Sequence, residues 1–457
     1  MRLDPYRAVL CVFLLSLTAL SAHAQEEPAP EPARFLIEKI TVEGPKAAPA
    51  NIVRAETLLK EGESYTEEQL RQAVYRVHHL PFVLDASFAL RKGSERGAYE
   101  LFIEVQPARW FFYDHWIRAY QFDEPLSLEE GDITPDFDRT SASLGGLVGA
   151  RLFVGRSGVL FAALDSHDGA QGGFTQYDLF GRGILASAGY SRNLCCVREV
   201  LPLGLDPTFS YWSYDESQKI SLSFVVPLGG RQSVQATFSE RRGEASDREE
   251  ILFRAPGFFS FIQNGDLTYR RAEGKWVYDT SDDPLVPTRG VSVSAGLEAS
   301  RFEGRGLRFA LFGIGSFEPV SFPTYEAEQV VAAVSGIRHW SVTPRQTVSA
   351  TGRIAAGQSR VENLPLEAAA LPATDFDYYG GSVGVQHAAT LKRSRGTGNF
   401  TDLRLESGAE LGAEKVSPEV KTGRLERLQV WTSLVFRNPW GRIRLVLSYL
   451  DIGGVFR

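Results

Sequence analysis

Alternation of apolar and polar residues is the feature that most constrains the fold. In residues 291–300, valine, alanine and leucine occupy the odd positions, whereas serine, glycine and glutamate occupy the even ones. Similar stretches occur at 233–239, 403–411 and 442–449. A period of two is the pattern of a β-strand with one apolar face. Because this pattern recurs from Trp110 to the end of the chain without an apolar-rich helix, it predicts a mainly β protein.

The same alternation fits two surroundings, because the apolar face of a strand can contact either a protein core or lipid. Each stretch is about nine to eleven residues long, which is the span of a tilted transmembrane strand. The pattern also continues for about 350 residues, longer than a typical soluble β domain. Counting gives about sixteen or seventeen stretches. Residues 109–457 are therefore predicted to form a transmembrane antiparallel β-barrel of about 16 strands.

The N-terminus predicts export. Arg2 and Arg7 precede an apolar run at residues 8–20, and the small residues around Ala24 form a cleavage site. The run is too short for a comfortable membrane span, so residues 1–24 are predicted to be a signal peptide and not an anchor. Residues 25–33 are rich in proline and glutamate and are predicted to be a disordered lead-in.

Residues 34–108 are predicted to form a small α+β domain. Its elements are a strand, two helices and two strands, at 35–42, 49–60, 66–80, 82–91 and 99–105. The second helix begins with Thr66 and has Gln69 three residues later, which matches the capping box. The predicted order is β-α-α-β-β, and a three-stranded sheet of this size leaves strand edges unpaired.

Several function classes are excluded by composition. A net charge of −7 argues against a nucleic-acid partner. Cys195 and Cys196 are the only cysteines after the signal peptide, and neighbouring cysteines build neither a disulfide framework nor a zinc site. The histidines are scattered, and no nucleophile and base or phosphate-binding loop can be placed. The chain is therefore predicted not to be an enzyme, with no catalytic residue, no metal ligand and no cofactor.

The stretch 276–290, "WVYDTSDDPLVPTRG", resembles a turn of the POTRA-plus-barrel superfamily, which includes BamA, TamA and the two-partner secretion transporters. Prolines end strand pairing, and aspartates cap the free amides of a turn. Ser281 stands where the family usually has arginine. The predicted motif residues are Asp279, Asp282, Pro284, Pro287, Arg289 and Gly290.

Other segments resemble the same superfamily. Residues 178–193, "DLFGRGILASAGYSRN", are similar to its early barrel hairpin, and residues 441–456, "GRIRLVLSYLDIGGVF", are similar to its final strand. In the small domain, "FLIEKITVEG", "LLKEGESYTEEQLRQAVYRV" and "AYELFIEVQPA" resemble the POTRA module. The resemblance implies that residues 34–108 lie in the periplasm and that the barrel lies in the outer membrane of a Gram-negative bacterium.

One family motif is missing. The family carries an arginine-glycine-aromatic motif on a loop inside the lumen, and its arginine pairs with an acidic residue on a nearby strand. The expected place follows 375–381, "DFDYYGG", where residues 382–387 contain no arginine. Glu406 and Glu410 are the candidate acidic partners, and the spacing of Arg393 and Arg395 does not fit the motif. The lumen lock is therefore absent, altered or placed elsewhere.

By resemblance, the chain is an outer-membrane assembly, insertion or polypeptide translocation factor. Its partners would be membrane lipid, unfolded or secreted polypeptide clients and other assembly proteins. The predicted client-binding edge of the small domain is the strand with Tyr99, Leu101, Ile103 and Val105, which would accept an added strand. The alternative is a passive channel or structural barrel without assembly activity, in which the small domain is a spacer.

Overall fold

A computed structural model describes most of the chain after the lead-in. The described residues are 33–44, 50–118, 143–165, 169–193, 197–200, 211–229, 231–245, 259–263, 265–283, 287–313, 316–362, 364–366, 369–371, 374–394, 401–417 and 423–456. The predicted signal peptide, most of the lead-in and the Cys195–Cys196 pair lie outside these residues, and those assignments stay predictions.

The N-terminal part contains two helices and four strands. These are β1 (Arg34–Glu43), α1 (Ala50–Thr57), β2 (Glu63–Thr66), α2 (Glu67–His78), β3 (Val83–Lys92) and β4 (Ala98–Pro107). The sheet order is β2-β1-β4-β3, with β1 and β4 parallel. The sheet therefore has four strands where three were predicted, because the short segment that forms β2 shows no alternation. Within the described residues, neither helix is long and apolar enough to cross a membrane.

The second helix begins where its capping residues predict. The hydroxyl of Thr66 accepts from the Gln69 amide at 3.3 Å, and the Gln69 side chain accepts from the Thr66 amide at 2.8 Å. These two bonds satisfy amides that the first helical turn leaves unpaired. The helix buries one apolar face, formed by Leu70, Ala73, Val74 and Val77, against the sheet. The predicted capping box is confirmed.

The remaining strands form the barrel and its extensions. They are β5 (Phe111–Arg118), β6 (Ser143–Val154), β7 (Gly158–Asp165), β8 (Ala170–Leu179), β9 (Ile184–Asn193), β10 (Val197–Val200), β11 (Tyr211–Gly229), β12 (Gln232–Ala245), β13 (Phe259–Gln263), β14 (Asp266–Asp279), β15 (Gly290–Gly313), β16 (Ser316–Thr343), β17 (Gln346–Glu362), β18 (Leu364–Leu366), β19 (Ala369–Leu371), β20 (Thr374–Ser394), β21 (Thr401–Ser417), β22 (Gly423–Asn438) and β23 (Gly441–Phe456).

Fifteen of these strands close a ring. Neighbours pair antiparallel from β5 to β23, and β23 returns to pair with β5 in parallel. The short strands β10 and β13 extend neighbouring strands, and β18 pairs with β19 in a separate hairpin. The predicted mainly β barrel of about 16 strands is confirmed, with fifteen strands in the ring within the described residues. Two of these strands are long, since β15 has 24 residues and β16 has 28.

The apolar face of the strands lies on the outside of the ring. In β16, Val330 is 55% exposed while its neighbour Gln329 is 8% exposed, and in β17 Ile354 is 62% exposed while Ala355 is 5% exposed. A barrel with an apolar exterior and a polar interior is the arrangement of a membrane-spanning barrel. The alternation therefore places its apolar side toward lipid and its polar side toward the lumen.

The apolar belt ends at a similar height on adjacent strands. On β15 the outward positions are apolar from Val291 to Ala299, and the next outward residue is Arg301. On β12 the outward face changes between Phe238 and Glu240, and on β16 it changes between Val330 and Glu328. About nine to eleven residues of a tilted strand cross a bilayer, so the belt matches one membrane thickness.

The two rims of the barrel differ in the length of their connections. Most connections on the rim beside the small domain are short, such as 155–157 and 344–345, whereas longer connections, such as 119–142 and 246–258, join strands at the other rim. Short turns mark the periplasmic side of outer-membrane barrels. The final strand runs away from the small domain, so Phe456 lies at the rim with long connections.

Candidate functional site

The small domain docks into the mouth of the barrel through Phe82. This ring is fully buried, and its centroid lies 5.1 Å from that of Phe153 and 5.9 Å from that of Tyr177, both edge-on. Phe153 belongs to β6 and faces inward, since its neighbours Leu152 and Val154 are exposed outside the ring. Tyr177 belongs to β8 and is buried. The small domain and the barrel therefore share one apolar core at the mouth.

The β8–β9 turn is shaped to receive helix α1. Gly183 has a φ of +67°, and a Cβ at this position would lie 2.4 Å from Cδ2 of Leu58. The Gly183 amide also donates to the carboxylate of Asp178 at 2.8 Å. A side chain at residue 183 would strain the backbone and push against the Leu58 side chain, which follows helix α1. This contact gives the glycine-rich segment at 178–193 a structural role in docking.

The turn between β14 and β15 is held by one carboxylate. Asp282 accepts from the Thr288 amide at 2.7 Å, from the Thr288 hydroxyl at 2.5 Å and from the Arg289 amide at 3.0 Å. Gly290 has a φ of +115°, and a Cβ there would lie 2.5 Å from the carbonyl oxygen of Thr280. Of the predicted motif, Pro284 lies outside the described residues.

The same turn reaches helix α2 of the small domain. Nε2 of His79 lies 3.6 Å from a carboxylate oxygen of Asp279. From the neighbouring β11–β12 turn, Arg231 donates to Glu68 at 2.9 Å and lies over the ring of Tyr75 at 5.9 Å. The motif is therefore a docking element. Sequence analysis missed Arg231 and Glu68, because 163 residues separate them and neither belongs to a local pattern.

The strand predicted to be the client-binding edge lies inside the sheet. Tyr99, Leu101, Ile103 and Val105 lie on β4, which pairs with β1 on one side and β3 on the other. Leu101, Ile103 and Val105 are buried in the core. The parallel pairing of the first and last strands places β4 inside the sheet, and this order cannot be read from the order along the chain. The edges are β2 and β3.

The longer of the two edges, β3, is partly covered by a histidine. Nε2 of His78 lies 2.9 Å from the amide nitrogen and 2.6 Å from the carbonyl oxygen of Ala86. These backbone groups point away from β4 and would otherwise bond to an incoming strand. Toward the other end of β3, Phe88 and Leu90 pair with Ile103 and Leu101 of β4. The edge that could accept a strand therefore runs from about residue 88 to Lys92.

The seam between the first and last barrel strands has the shortest run of pairs in the ring. Six residues of β23 pair with β5, from Gly441 with Tyr113 to Val446 with Arg118. On its other side, β23 forms fifteen pairs with β22. Within the described residues, the second half of β23 has no partner on the seam side. The seam is closed at the mouth by Arg442, which donates to both carboxylate oxygens of Asp114 at 3.0 and 2.6 Å.

Inside the lumen, acidic residues pair with arginines of the barrel wall. Glu406 on β21 accepts from Arg444 on β23 at 3.2 Å, and Asp402 lies 3.4 Å from Nε of Arg393. Within the described residues, the partner of Glu406 comes from a strand and not from an inserted loop, and whether the lumen lock is absent, altered or placed elsewhere stays a prediction. Arg395 lies outside the described residues.

Three of the described histidines act as hydrogen-bonding groups. His78 and His79 belong to the docked domain, and Nδ1 of His339 lies 2.7 Å from the Ser349 hydroxyl inside the lumen. Across the described ranges, no group of three or more histidine, cysteine or acidic side chains could hold a metal ion. The chemistry that these residues offer is hydrogen bonding, ion pairing and strand pairing.

Comparison with solved structures finds similar barrels at low identity. BamA from Haemophilus ducreyi lacking POTRA domains 1–3 overlaps 92% of this chain and 85% of its own, at 10% identity and a TM-score of 0.39. CdiB from Acinetobacter baumannii overlaps 87% and 70%, at 8% identity and a TM-score of 0.34. The ferric-catecholate import receptor Fiu from E. coli K12 overlaps 79% and 68%, at 8% identity and a TM-score of 0.29.

No family model matches the chain, and no curated protein matches it. With identities of 8–10% and TM-scores below 0.5, these likenesses carry no argument about function. The fold described above rests on the strand pairing of this chain, which closes the ring independently of any relative.

Substitution Phe82→Ala is expected to loosen the docked domain. Removing a fully buried aromatic ring costs about 3–5 kcal/mol through lost burial and the cavity left behind. Hydrogen exchange of helix α2 in detergent-solubilised protein should accelerate while exchange in the barrel strands stays slow. Phe180→Ala is the matched control, because Phe180 is 82% exposed in the β8–β9 turn. Equal exchange of α2 in the wild type and in Phe82→Ala would show that the ring does not hold the junction.

A second prediction concerns pH. Burial in the junction raises the pKa of the Glu56 carboxyl to about 7, from an ordinary value of 4.5, and the charge of Asp178 adds to the rise. Because the pKa in the docked state is the higher one, the group stabilises docking fully below pH 4.5, and this contribution is lost as the pH rises through 7. The thermal midpoint of the small domain should be higher at pH 5.5 than at pH 8. Glu56→Gln should reduce that difference and Glu95→Gln, in an exposed loop, should preserve it. An unchanged difference in Glu56→Gln would contradict the assignment.

Proposed function

We propose that the protein is an outer-membrane factor that inserts or translocates polypeptide, with the small domain in the periplasm. The observation that carries this proposal is the seam, where the first and last described barrel strands pair in parallel, in a ring whose other described neighbours pair antiparallel. An insertion factor needs a place where a client strand can pair with the barrel, and the junction between the two ends of the barrel sequence offers one.

Opening of the seam would create two templates for pairing. Six backbone pairs and the ion pair between Asp114 and Arg442 would separate. In hydrocarbon, the freed amides and carbonyls need new partners, because no water is present to bond with them. A client strand with matching alternation can supply those partners. We propose that the client pairs with the edges of β5 and β23 that the opened seam exposes.

The small domain is proposed to present clients as a POTRA-like module. Strand β3 lies at the sheet edge, in a domain that is docked at the periplasmic mouth. An unfolded segment can pair with such an edge through backbone hydrogen bonds, largely without regard to its sequence. The proposed contact is residues 88–92 of β3. Strand β4 is paired on both sides, and His78 covers the beginning of β3. The proposed partners are therefore unfolded β-rich polypeptides and the lipid around the belt.

The export signal and the barrel together support this location. The predicted signal peptide would carry the chain across the inner membrane, and barrels with short turns on one side lie in outer membranes. The passive channel remains the second candidate, because the lumen wall is polar and rich in arginine. In that case the seam would stay closed during activity.

A disulfide across the seam separates the two candidates. His115 and Ile443 pair directly in the register of β5 and β23, so the variant His115→Cys with Ile443→Cys should lock the seam when oxidised. Cys195 and Cys196 are replaced by serine in every variant. In proteoliposomes, the oxidised protein should insert an unfolded outer-membrane barrel client at least about tenfold more slowly, because the client strand cannot enter between β5 and β23.

The matched control places the same disulfide in a wall of the barrel. Leu411→Cys with Leu428→Cys joins β21 to β22, which are paired along their length. This variant should insert clients at the wild-type rate whether oxidised or reduced, and reduction should restore the seam variant. Insertion at the wild-type rate with a fully oxidised seam would refute the proposal and favour the passive channel.

A further inference from the structure

We propose that the lumen wall beside the seam binds an oxyanion, a carboxylate or phosphate group, through arginines on β20 to β23. This site is separate from the pairing of client strands and does not require the seam to open. It follows from the register of four adjacent strands and from the number of charges they bring together. The arginines are Arg393, Arg404, Arg437, Arg442 and Arg444.

The register aligns these charges in two neighbouring rows across the wall. In the first row, Arg393 faces Asp402, Asp402 faces Arg437, and Arg437 faces Arg442. The row continues across the seam, where Arg442 faces Asp114. The second row lies two residues further into the barrel and contains Arg404 and Arg444 on either side of Val435.

The acidic residues of this cluster are too few for its arginines. Three carboxylates, Asp114, Asp402 and Glu406, face the five arginines. Asp114 gives both oxygens to Arg442, and Glu406 accepts from Arg444. Asp402 lies within ion-pair distance of two arginines. The cluster therefore carries an excess of two positive charges, in a chain whose net charge is −7.

Two arginines of the cluster lie next to each other. Arg437 and Arg442 are directly opposite each other on neighbouring strands, and each is flanked by a carboxylate, since Asp402 faces Arg437 and Asp114 accepts from Arg442. Like charges in such a pair destabilise a sheet. A negatively charged group between the two rows would weaken the remaining repulsion.

Buried hydrogen-bond donors without an acceptor also support an anion site. Nε of the buried Arg404 lies 3.1 Å from a carboxylate oxygen of Asp402, so this group is held by an ion pair. Nη2 of Arg393 and Nε of Arg444 are buried and have no hydrogen-bond partner within the described structure. Buried donors are satisfied in nearly all folded proteins, so each of these calls for an acceptor. The planar fork of a guanidinium matches the two oxygens of a carboxylate or phosphate, which identifies the ligand class.

The cluster is placed where a ligand can reach it from the lumen. Its residues alternate with outward apolar residues such as Leu428 and Val430, so the arginines face inward. The apolar and ionic contacts that dock the small domain lie elsewhere in the ring, on β6, β8 and the turns before β12 and β15. Either a small oxyanion or an acidic side chain of a polypeptide in the lumen would meet the same donors.

Binding of two probes to the full-length protein in detergent tests the proposal. The probes are inorganic pyrophosphate and hexaglutamate, titrated by calorimetry at low salt. At least one should bind, and Arg444→Gln should weaken that binding at least about tenfold, because it removes a bidentate donor. Arg444→Lys keeps the charge but loses the fork, so it should restore only part of the affinity. Arg393→Gln is a second variant of the cluster. Because residue 393 lies near the end of β20, this change should leave the structure of the barrel wall little altered.

The control is Arg301→Gln, which removes an arginine of the outward face with the same change in net charge. It should bind the probes like the wild type. Binding of pyrophosphate identifies a site for small oxyanions, and binding of hexaglutamate alone identifies a site for acidic polypeptide, and either supports the proposal. Failure of both probes to bind, or equal weakening by Arg301→Gln and Arg444→Gln, would overturn it.

Discussion

In a lipid bilayer, a backbone amide or carbonyl without a partner has no water to bond with, and every other feature of this molecule depends on that constraint. A chain that crosses with strands must close its sheet on itself. Here the closure is made by six parallel pairs between β23 and β5. Within the described residues, the ring is therefore closed by its shortest run of pairs, at the junction between the two ends of the barrel sequence.

The same constraint explains the division of residues between the two faces. Apolar side chains outside the ring lower the cost of contact with lipid, and polar side chains inside can pair with one another or with water. The arginine-rich wall near the seam follows from this division, since charges that would be excluded from lipid are collected in the lumen. At the mouth, Phe82 extends the apolar core from the small domain into the barrel. Docking and closure thus meet at one rim.

Most of the local structure can be predicted from the sequence, because it depends on residues that are close together in the chain. The alternation at 291–300 predicts a strand of β15, and Thr66 with Gln69 predicts the start of α2. The motif at 279–290 is identifiable because Asp282 and Gly290 are required by one tight turn.

Features that depend on distant residues could not be predicted. The position of β4 inside the sheet depends on its parallel pairing with β1, and the salt bridge between Glu68 and Arg231 joins separate domains. The pairing of Glu406 with Arg444 requires the register of three strands.

Contact between the outward face and lipid is the central claim, and spin labels along β15 test it most directly. Single cysteines at residues 291–300, in protein with Cys195 and Cys196 replaced, are labelled and reconstituted into bilayers. Relaxation by oxygen, which concentrates in lipid, should be strong at Val293 and Leu297 and weak at Ser294 and Glu298, with a period of two. A uniform profile, or stronger relaxation at the even positions, would contradict the account.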